Sequence, residues 1–167
     1  MPTWTCPDCG RSFGRRNQSH GCAPGQSVDD YFANRAVALR RAFDAVARHL
    51  AKTGDVQVEA VGVCVMFKRS RTFAEVRAKR DRLVLGFLLS RAVDHPKIGK
   101  TLRLSAHRTA HFVDLTRAAD VDRDVRDWLS EAYACSPDQS GPSEARRDAP
   151  KASPGGSAKR GTDEEDD

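Results

Sequence analysis

The feature that most constrains the fold of this sequence is a group of cysteine and histidine residues near its start. Cys6 and Cys9 are separated by two residues, and His20 and Cys22 follow after ten more, separated by one. This spacing is typical of two ligand pairs on one zinc ion, which prefers four sulfur or nitrogen ligands in a tetrahedron. Since the protein would occupy all four positions, the pattern predicts one structural zinc ion and a zinc finger over residues 1–26.

Cysteine usage and hydropathy bear on the compartment. The chain has five cysteines, three of them before residue 23, which suits a reducing compartment with a metal site better than a disulfide framework. The longest apolar run, Leu83–Leu89, is too short to span a bilayer, and the N-terminus lacks the pattern of a signal peptide. The sequence therefore predicts a cytoplasmic protein without membrane contact. Incidental cysteines, or another metal such as iron, stay open as alternatives at the finger.

Charge divides the chain into a basic body and an acidic end. Residues 1–135 contain 23 Lys or Arg and 15 Asp or Glu, whereas residues 136–167 contain 5 and 8. The last 31 residues lack aromatic side chains and are rich in Pro, Gly, Ser and charge, so they cannot bury enough apolar surface to offset chain entropy. We predict a disordered acidic tail over residues 137–167 and one α+β domain over residues 27–136.

Hydrophobic periodicity predicts the elements of this domain. A short helical turn begins at Ser27, an amphipathic helix over Leu39–Leu50 ends at Gly54, and Asp120 caps a final helix. Apolar or mixed runs predict four strands: Val61–Phe67, Thr72–Ala78, Leu83–Leu89 and His111–Leu115. Because each long helix has a single apolar stripe, we expect a four-stranded antiparallel sheet with the helices packed on one face.

Several stretches resemble an uncharacterised bacterial family that joins a CCHC-type zinc finger to a domain of unknown function. They are Trp4–Phe13, Arg16–Cys22, Val28–Ala33, Phe73–Val76, Leu85–Leu89, Asp120–Asp122 and Trp128–Tyr133. The resemblance covers Trp4 to Ala134 and implies a two-part organisation, with no established activity and no catalytic residues. It also implies a nucleic-acid context, since the second domain of that family occurs beside nuclease-like domains.

Basic residues of the finger loop and of the predicted sheet are candidate contacts for an anionic partner. Residues 68–108 contain 12 Lys or Arg and three acids. Such a surface attracts phosphate, and arginine can also contact base edges. The candidate nucleic-acid residues are Arg11, Arg15, Arg16, Lys68, Arg69, Arg71, Arg77, Lys79, Arg80 and Arg82. The alternative is a solvated sheet face whose charges protect an apolar strand from aggregation.

Motifs of catalysis are absent from the sequence. It contains no Gly-rich phosphate loop, no Gly-x-Ser-x-Gly and no His-Glu-x-x-His. Cys64 lies within an apolar run, and His107 and His111 are four apart on an extended segment, a spacing that does not pair them. We predict a zinc-binding, non-catalytic protein that contacts nucleic acid. The alternatives are an adaptor that binds another protein, and an enzyme or small-ligand-binding domain; the sequence does not define the oligomeric state.

Overall fold

The computed structural model describes residues 4–13, 15–17, 20–22 and 24–136, so the predicted tail, residues 137–167, lies outside the described residues. The strands of the described part are β1 (Trp4–Thr5), β2 (Ser12–Phe13), β3 (Gly25–Gln26), β4 (Gln57–Val61), β5 (Cys64–Lys68), β6 (Thr72–Ala78), β7 (Leu83–Leu89), β8 (Ile98–Ser105) and β9 (Arg108–Leu115). Its helices are α1 (Val28–Phe32), α2 (Val37–Thr53) and α3 (Arg123–Cys135), with a 3-10 turn over Ala118–Asp120 before α3. None of these helices is long and apolar enough to cross a membrane.

Two antiparallel sheets organise these strands. β1 and β2 pair with each other in the N-terminal module, and the other strands form one sheet in the order β3-β4-β5-β6-β7-β9-β8. The prediction of a four-stranded sheet is therefore wrong, because the large sheet has seven strands. The described chain contains both helices and strands, and the neighbouring strands of its large sheet are antiparallel, as predicted for the α+β class.

Two errors explain most of the missing strands. The apolar run Val61–Phe67 is not one strand: Val61 ends β4, and Cys64 opposite it begins β5 after a turn at Gly62 and Val63. Because the turn residues are themselves small or apolar, hydropathy continues through the turn. β8 is absent from the predicted strands because it is an edge strand whose residues after Ile98 are all exposed, so it lacks an apolar alternation.

Both long helices cover the same face of the large sheet. Phe43 of α2 stacks on Phe67 with ring centroids 5.7 Å apart, and Trp128 of α3 stacks on Phe87 at 5.8 Å. Phe67 and Phe87 point to the same side, since the sheet register places both of them opposite Ala74. The core therefore lies between this face and the apolar stripes of α2 and α3.

The helix ends are set by specific contacts. α2 stops before Gly54, where a Cβ atom would lie 2.2 Å from Oη of Tyr133, so glycine allows α3 to pack closely there. The carboxylate of Asp122 accepts a hydrogen bond from the backbone N–H of Val125 at 3.3 Å and caps α3. The predicted cap, Asp120, is wrong by two residues, because its carboxylate caps the preceding 3-10 turn instead.

A segment from residue 90 to residue 97 connects β7 to β8 and is tied to α3. Arg91 forms two hydrogen bonds with Glu131 at 2.7 and 2.8 Å. The backbone N–H of Val93 donates to Nε2 of the buried His111 at 3.0 Å. Burial lowers the pKa of His111 and keeps its ring neutral, as this acceptor role requires. His107 is exposed in the β8–β9 turn, and so the two histidines have separate environments.

Candidate metal centre

The N-terminal module brings the four predicted zinc ligands together. After β1, the backbone N–H of Cys6 donates to the carbonyl of Arg11 and the N–H of Gly10 donates to the carbonyl of Cys6, both at 2.9 Å. Gly10 adopts φ +70°, a conformation that glycine tolerates better than other residues. This tight turn directs Cys6 and Cys9 toward the same point, and the chain returns there with His20 and Cys22.

Two distances within this Cys/His cluster match those of a tetrahedral site. The four ligand atoms lie within 4.8 Å of one another. The Sγ atoms of Cys6 and Cys22 are 3.8 Å apart, and Sγ of Cys9 is 3.4 Å from Nε2 of His20. A tetrahedron with zinc bonds of about 2.3 Å to sulfur and about 2.0 Å to nitrogen separates two sulfurs by about 3.8 Å and a sulfur–nitrogen pair by about 3.5 Å. The cluster could hold a metal ion, and its donors and spacing are consistent with zinc.

Two aromatic rings pack against His20, one of the candidate ligands. The ring of Phe13 packs on that of His20 with centroids 4.1 Å apart, and Trp4 lies 6.0 Å from Phe13 and 6.2 Å from His20. These contacts orient Nε2 of His20 toward the cysteines. Packing of this kind restricts the orientation of the histidine ring in the folded finger.

The thiols of the cluster have unequal affinities for protons. Burial opposes ionisation of Cys6, but backbone hydrogen bonds at Cys9 and Asp8 outweigh it and lower the pKa of Cys6 to about 7. Desolvation of the sulfur, with the thiols of Cys9 and Cys6 beside it, raises the pKa of Cys22 to about 12. Without a cation, the cluster therefore keeps protons at neutral pH, and a bound dication would release them.

A buried ionic contact attaches the N-terminal module to the large sheet. Glu59 of β4 accepts hydrogen bonds from Nε of Arg11 and from Nζ of Lys68. The exposed fractions of the three side chains are only 12% for Glu59, 10% for Arg11 and 15% for Lys68. Nη1 of Arg11 also donates to the carbonyl of Gly21 at 3.1 Å, next to the ligand Cys22. We call Arg11, Glu59 and Lys68 the ionic triad.

The C-terminal end of the finger adds a second attachment to the large sheet. Gly25 and Gln26 form β3, the edge strand opposite Val61 and Ala60 of β4. The side-chain amide of Gln26 donates to the carbonyl of Val61 at 3.0 Å. The finger is therefore docked on the sheet through backbone pairing and the ionic triad.

The ionic triad keeps Glu59 ionised. Burial alone would raise the pKa of this carboxyl, but the hydrogen bonds from Arg11 and Lys68 hold it below its ordinary value. The hydrogen bond to Glu59 correspondingly raises the pKa of Arg11. Arg11 and Lys68 thus contact a carboxylate of the same chain, not solvent.

The comparisons with known proteins identify the larger domain. A family model described as a domain of unknown function (DUF5655) matches residues 28–136. The chain belongs to the DUF5655 family. The Cys/His cluster precedes the matched region, so an N-terminal candidate metal centre is followed by a DUF5655 domain. No curated protein and no solved structure matches the chain, and the match carries no information on the predicted bacterial origin.

The candidate nucleic-acid residues occupy separate parts of the DUF5655 domain and the finger. Arg69 and Arg71 lie in the β5–β6 turn, whereas Lys79 and Arg80 lie in the β6–β7 turn at the opposite end of β6. At about 3.3 Å per residue, Arg71 and Lys79 are roughly 25 Å apart. These turns therefore do not form one continuous basic patch with each other.

Other candidates are paired with acids. Arg77 contacts Glu75 at 2.8 Å, and Arg82 contacts Asp81 and Asp114, both at 3.0 Å. Arg69 donates to the carbonyl of Ser136 at 3.2 Å and lies over the ring of Tyr133 at 4.6 Å.

In the finger, Arg15 and Arg16 are exposed in the chain between β2 and His20.

Two side-chain contacts could not be predicted from the sequence. The first joins Glu59 to Arg11: 48 residues separate them, and no local spacing marks the pair. His49 of α2 was without a partner, but its Nε2 lies 2.9 Å from Oγ of Ser130 on α3. Since that hydroxyl donates to the carbonyl of Arg126 at 2.9 Å, the pair connects two helices and does not activate a nucleophile.

Cys64, the cysteine at the start of β5, is buried. Burial raises the pKa of Cys64, which keeps it a thiol.

Proposed function

We propose that this protein is a zinc-binding, non-catalytic binding protein in which one structural zinc ion, bound by Cys6, Cys9, His20 and Cys22, folds the finger that the DUF5655 domain carries. The observation that supports this most strongly is that four Cys and His ligand atoms lie within 4.8 Å of one another, with two of their distances close to those of tetrahedral zinc geometry. Four protein ligands complete the coordination shell, so the ion has a structural role.

Metal analysis tests the zinc proposal. Purified full-length protein is expected to contain one zinc ion per chain, and replacement by Co²⁺ should give the visible absorption of a tetrahedral thiolate site. Cys22→Ser should lose the metal, whereas Cys135→Ser, at an exposed cysteine outside the cluster, should keep it. One equivalent of iron, or equal loss of metal in both variants, would contradict the proposal.

We further propose that the partner is nucleic acid, contacted first by the finger loop. Arg15 and Arg16 support this, because they are exposed on a module whose position relative to the sheet is held by the ionic triad. Exposed arginines on a rigid support lose less freedom when they bind phosphate than arginines on a free loop. Arg11 and Lys68, named above as contacts, act in this proposal as positioning residues.

Anisotropy titrations with short duplex DNA, single-stranded DNA and RNA at two salt concentrations test this contact. Full-length protein is expected to bind more weakly as salt rises. Arg15→Ala/Arg16→Ala should weaken binding about ten-fold and lower the salt slope by about two, because each phosphate contact contributes about one. Lys79→Ala/Arg80→Ala removes the same charge from the β6–β7 turn and is the matched control, with a smaller expected effect.

Two results would overturn the nucleic-acid proposal. Equal weakening in the two double variants would indicate general electrostatic attraction without a finger contact. An absence of binding at low salt would favour the adaptor alternative, in which the docked finger binds another protein.

A further inference from the structure

A cleft of about 380 Å³ lies at the end of the large sheet where β6 and β9 begin and β7 ends. Its walls come from the β5–β6 turn, the β8–β9 turn and the C-terminal end of α3. No residue of the finger lines it, so it is independent of the metal centre. A volume of this size falls within the range of clefts that bind small molecules.

The described rim of the cleft is basic. Arg71, His107 and Arg108 line it, and none of the lining residues that the structure describes is Asp or Glu. Within the described part of the chain, these three side chains form no ion pair, although most acids of the DUF5655 domain are paired with other cations. Two permanent positive charges and an imidazole therefore converge on one opening with no counter-charge among residues 24–136.

The remaining walls are apolar or carry hydroxyl groups. Phe73, Leu89 and Ala132 are buried at the floor, and Ser90 adds a hydroxyl at the side. The C-terminal carbonyls of α3 also face this end and carry partial negative charge. Arg69 donates to one of them, the carbonyl of Ser136, which offsets part of that charge. Two arginines outweigh the residual helix dipole.

We propose that this cleft binds a small organic anion, a phosphomonoester or carboxylate whose apolar body lies on the Phe73–Leu89–Ala132 floor. Arg71 and Arg108 would contact the anionic oxygens, since guanidinium groups donate paired hydrogen bonds to such groups. A hydroxyl such as that of Ser90 suits a third contact. The site belongs to the DUF5655 domain itself and is separate from the proposed contact of the finger with nucleic acid.

Chemical-shift titration of the full-length, zinc-loaded protein tests the site with four probes. Phenyl phosphate and benzoate carry an anion on an apolar ring, inorganic phosphate lacks the ring, and benzamide lacks the charge. We expect either ring-bearing anion to shift the amide signals of Leu89, Ser90 and Arg108, and to bind more tightly than inorganic phosphate or benzamide. The preference between phenyl phosphate and benzoate identifies the anion class.

A matched pair of variants separates this site from general charge effects. Arg71→Ala/Arg108→Ala is expected to weaken binding of the preferred anion about ten-fold. Lys79→Ala/Arg80→Ala removes the same charge at the opposite end of β6 and should leave the affinity unchanged. All four side chains are exposed, so both variants should keep the wild-type thermal midpoint. Three results would overturn the proposal: an equal loss of affinity in the two variants, binding of benzamide as tight as that of the anions, or shifts confined to other regions. The probes are used up to about 10 mM, on the order of the weakest useful affinity.

Discussion

Removal of the proposed zinc ion is expected to unfold the finger while the seven-stranded sheet stays folded. The finger has two strands of two residues each and a core of three aromatic rings, which is too small to be stable without a metal. A structural zinc ion contributes on the order of 10 kcal/mol to such a module. The DUF5655 domain has its own core between the sheet and the helices α2 and α3.

The two tryptophans allow this result to be measured without mutation. Trp4 lies in the finger and Trp128 in the sheet core, so their indole N–H signals report on the two parts separately. With excess chelator, the Trp4 signal should move to the position of an unfolded chain and that of Trp128 should persist. A Trp4 signal that survives metal release would contradict a structural role for the metal. Loss of both signals would show that the sheet depends on the finger.

Glu59→Gln is expected to lower the free energy of unfolding by about 3 kcal/mol, because it leaves two buried cations without a counter-charge. Only 10% of the Arg11 side chain and 15% of the Lys68 side chain are exposed, so water replaces the lost carboxylate poorly. Glu75→Gln is the matched control. Its pair with Arg77 has exposed fractions of 27% and 49%, and we expect a loss below about 1 kcal/mol.

Urea unfolding at neutral and acid pH measures the effect. The pKa of Glu59 is lower in the folded protein than its ordinary value, so its contribution to stability is present above about pH 4.3 and is lost as the pH falls through the lower folded value. The difference between wild type and Glu59→Gln should therefore be full at pH 7 and shrink in acid. Equal losses in Glu59→Gln and Glu75→Gln would show that the ionic triad does not hold the finger.

The local elements that follow a strong period were predictable from the sequence. The stripe of α2, with Leu39, Phe43, Val46 and Leu50, is buried as its spacing indicates. The apolar run Leu83–Leu89 forms β7 with the predicted bounds. Edge strands carry no such pattern, because one side of the backbone and most side chains face water; β8 was missed for that reason.

The candidate metal site was also predictable, because its information is local. Two candidate ligand pairs lie within 17 residues, the first of them on a short turn, and restrict the geometry before any long-range contact forms. The basic surface was not predictable in the same way. Whether a cation is free depends on which acid lies beside it in space, and the partners of Arg11 and Arg82 come from distant strands.

The sequence by itself thus determined the four ligand positions, the two long helices and the most apolar strands, since each depends on residues near one another in the chain. Tertiary structure alone decided that the sheet has seven strands, that the finger docks through Glu59, and that Arg71, His107 and Arg108 meet at one cleft. These features join residues separated by tens of positions. Periodicity and spacing describe one element at a time, so strand order and charge pairing appear only when the elements pack together.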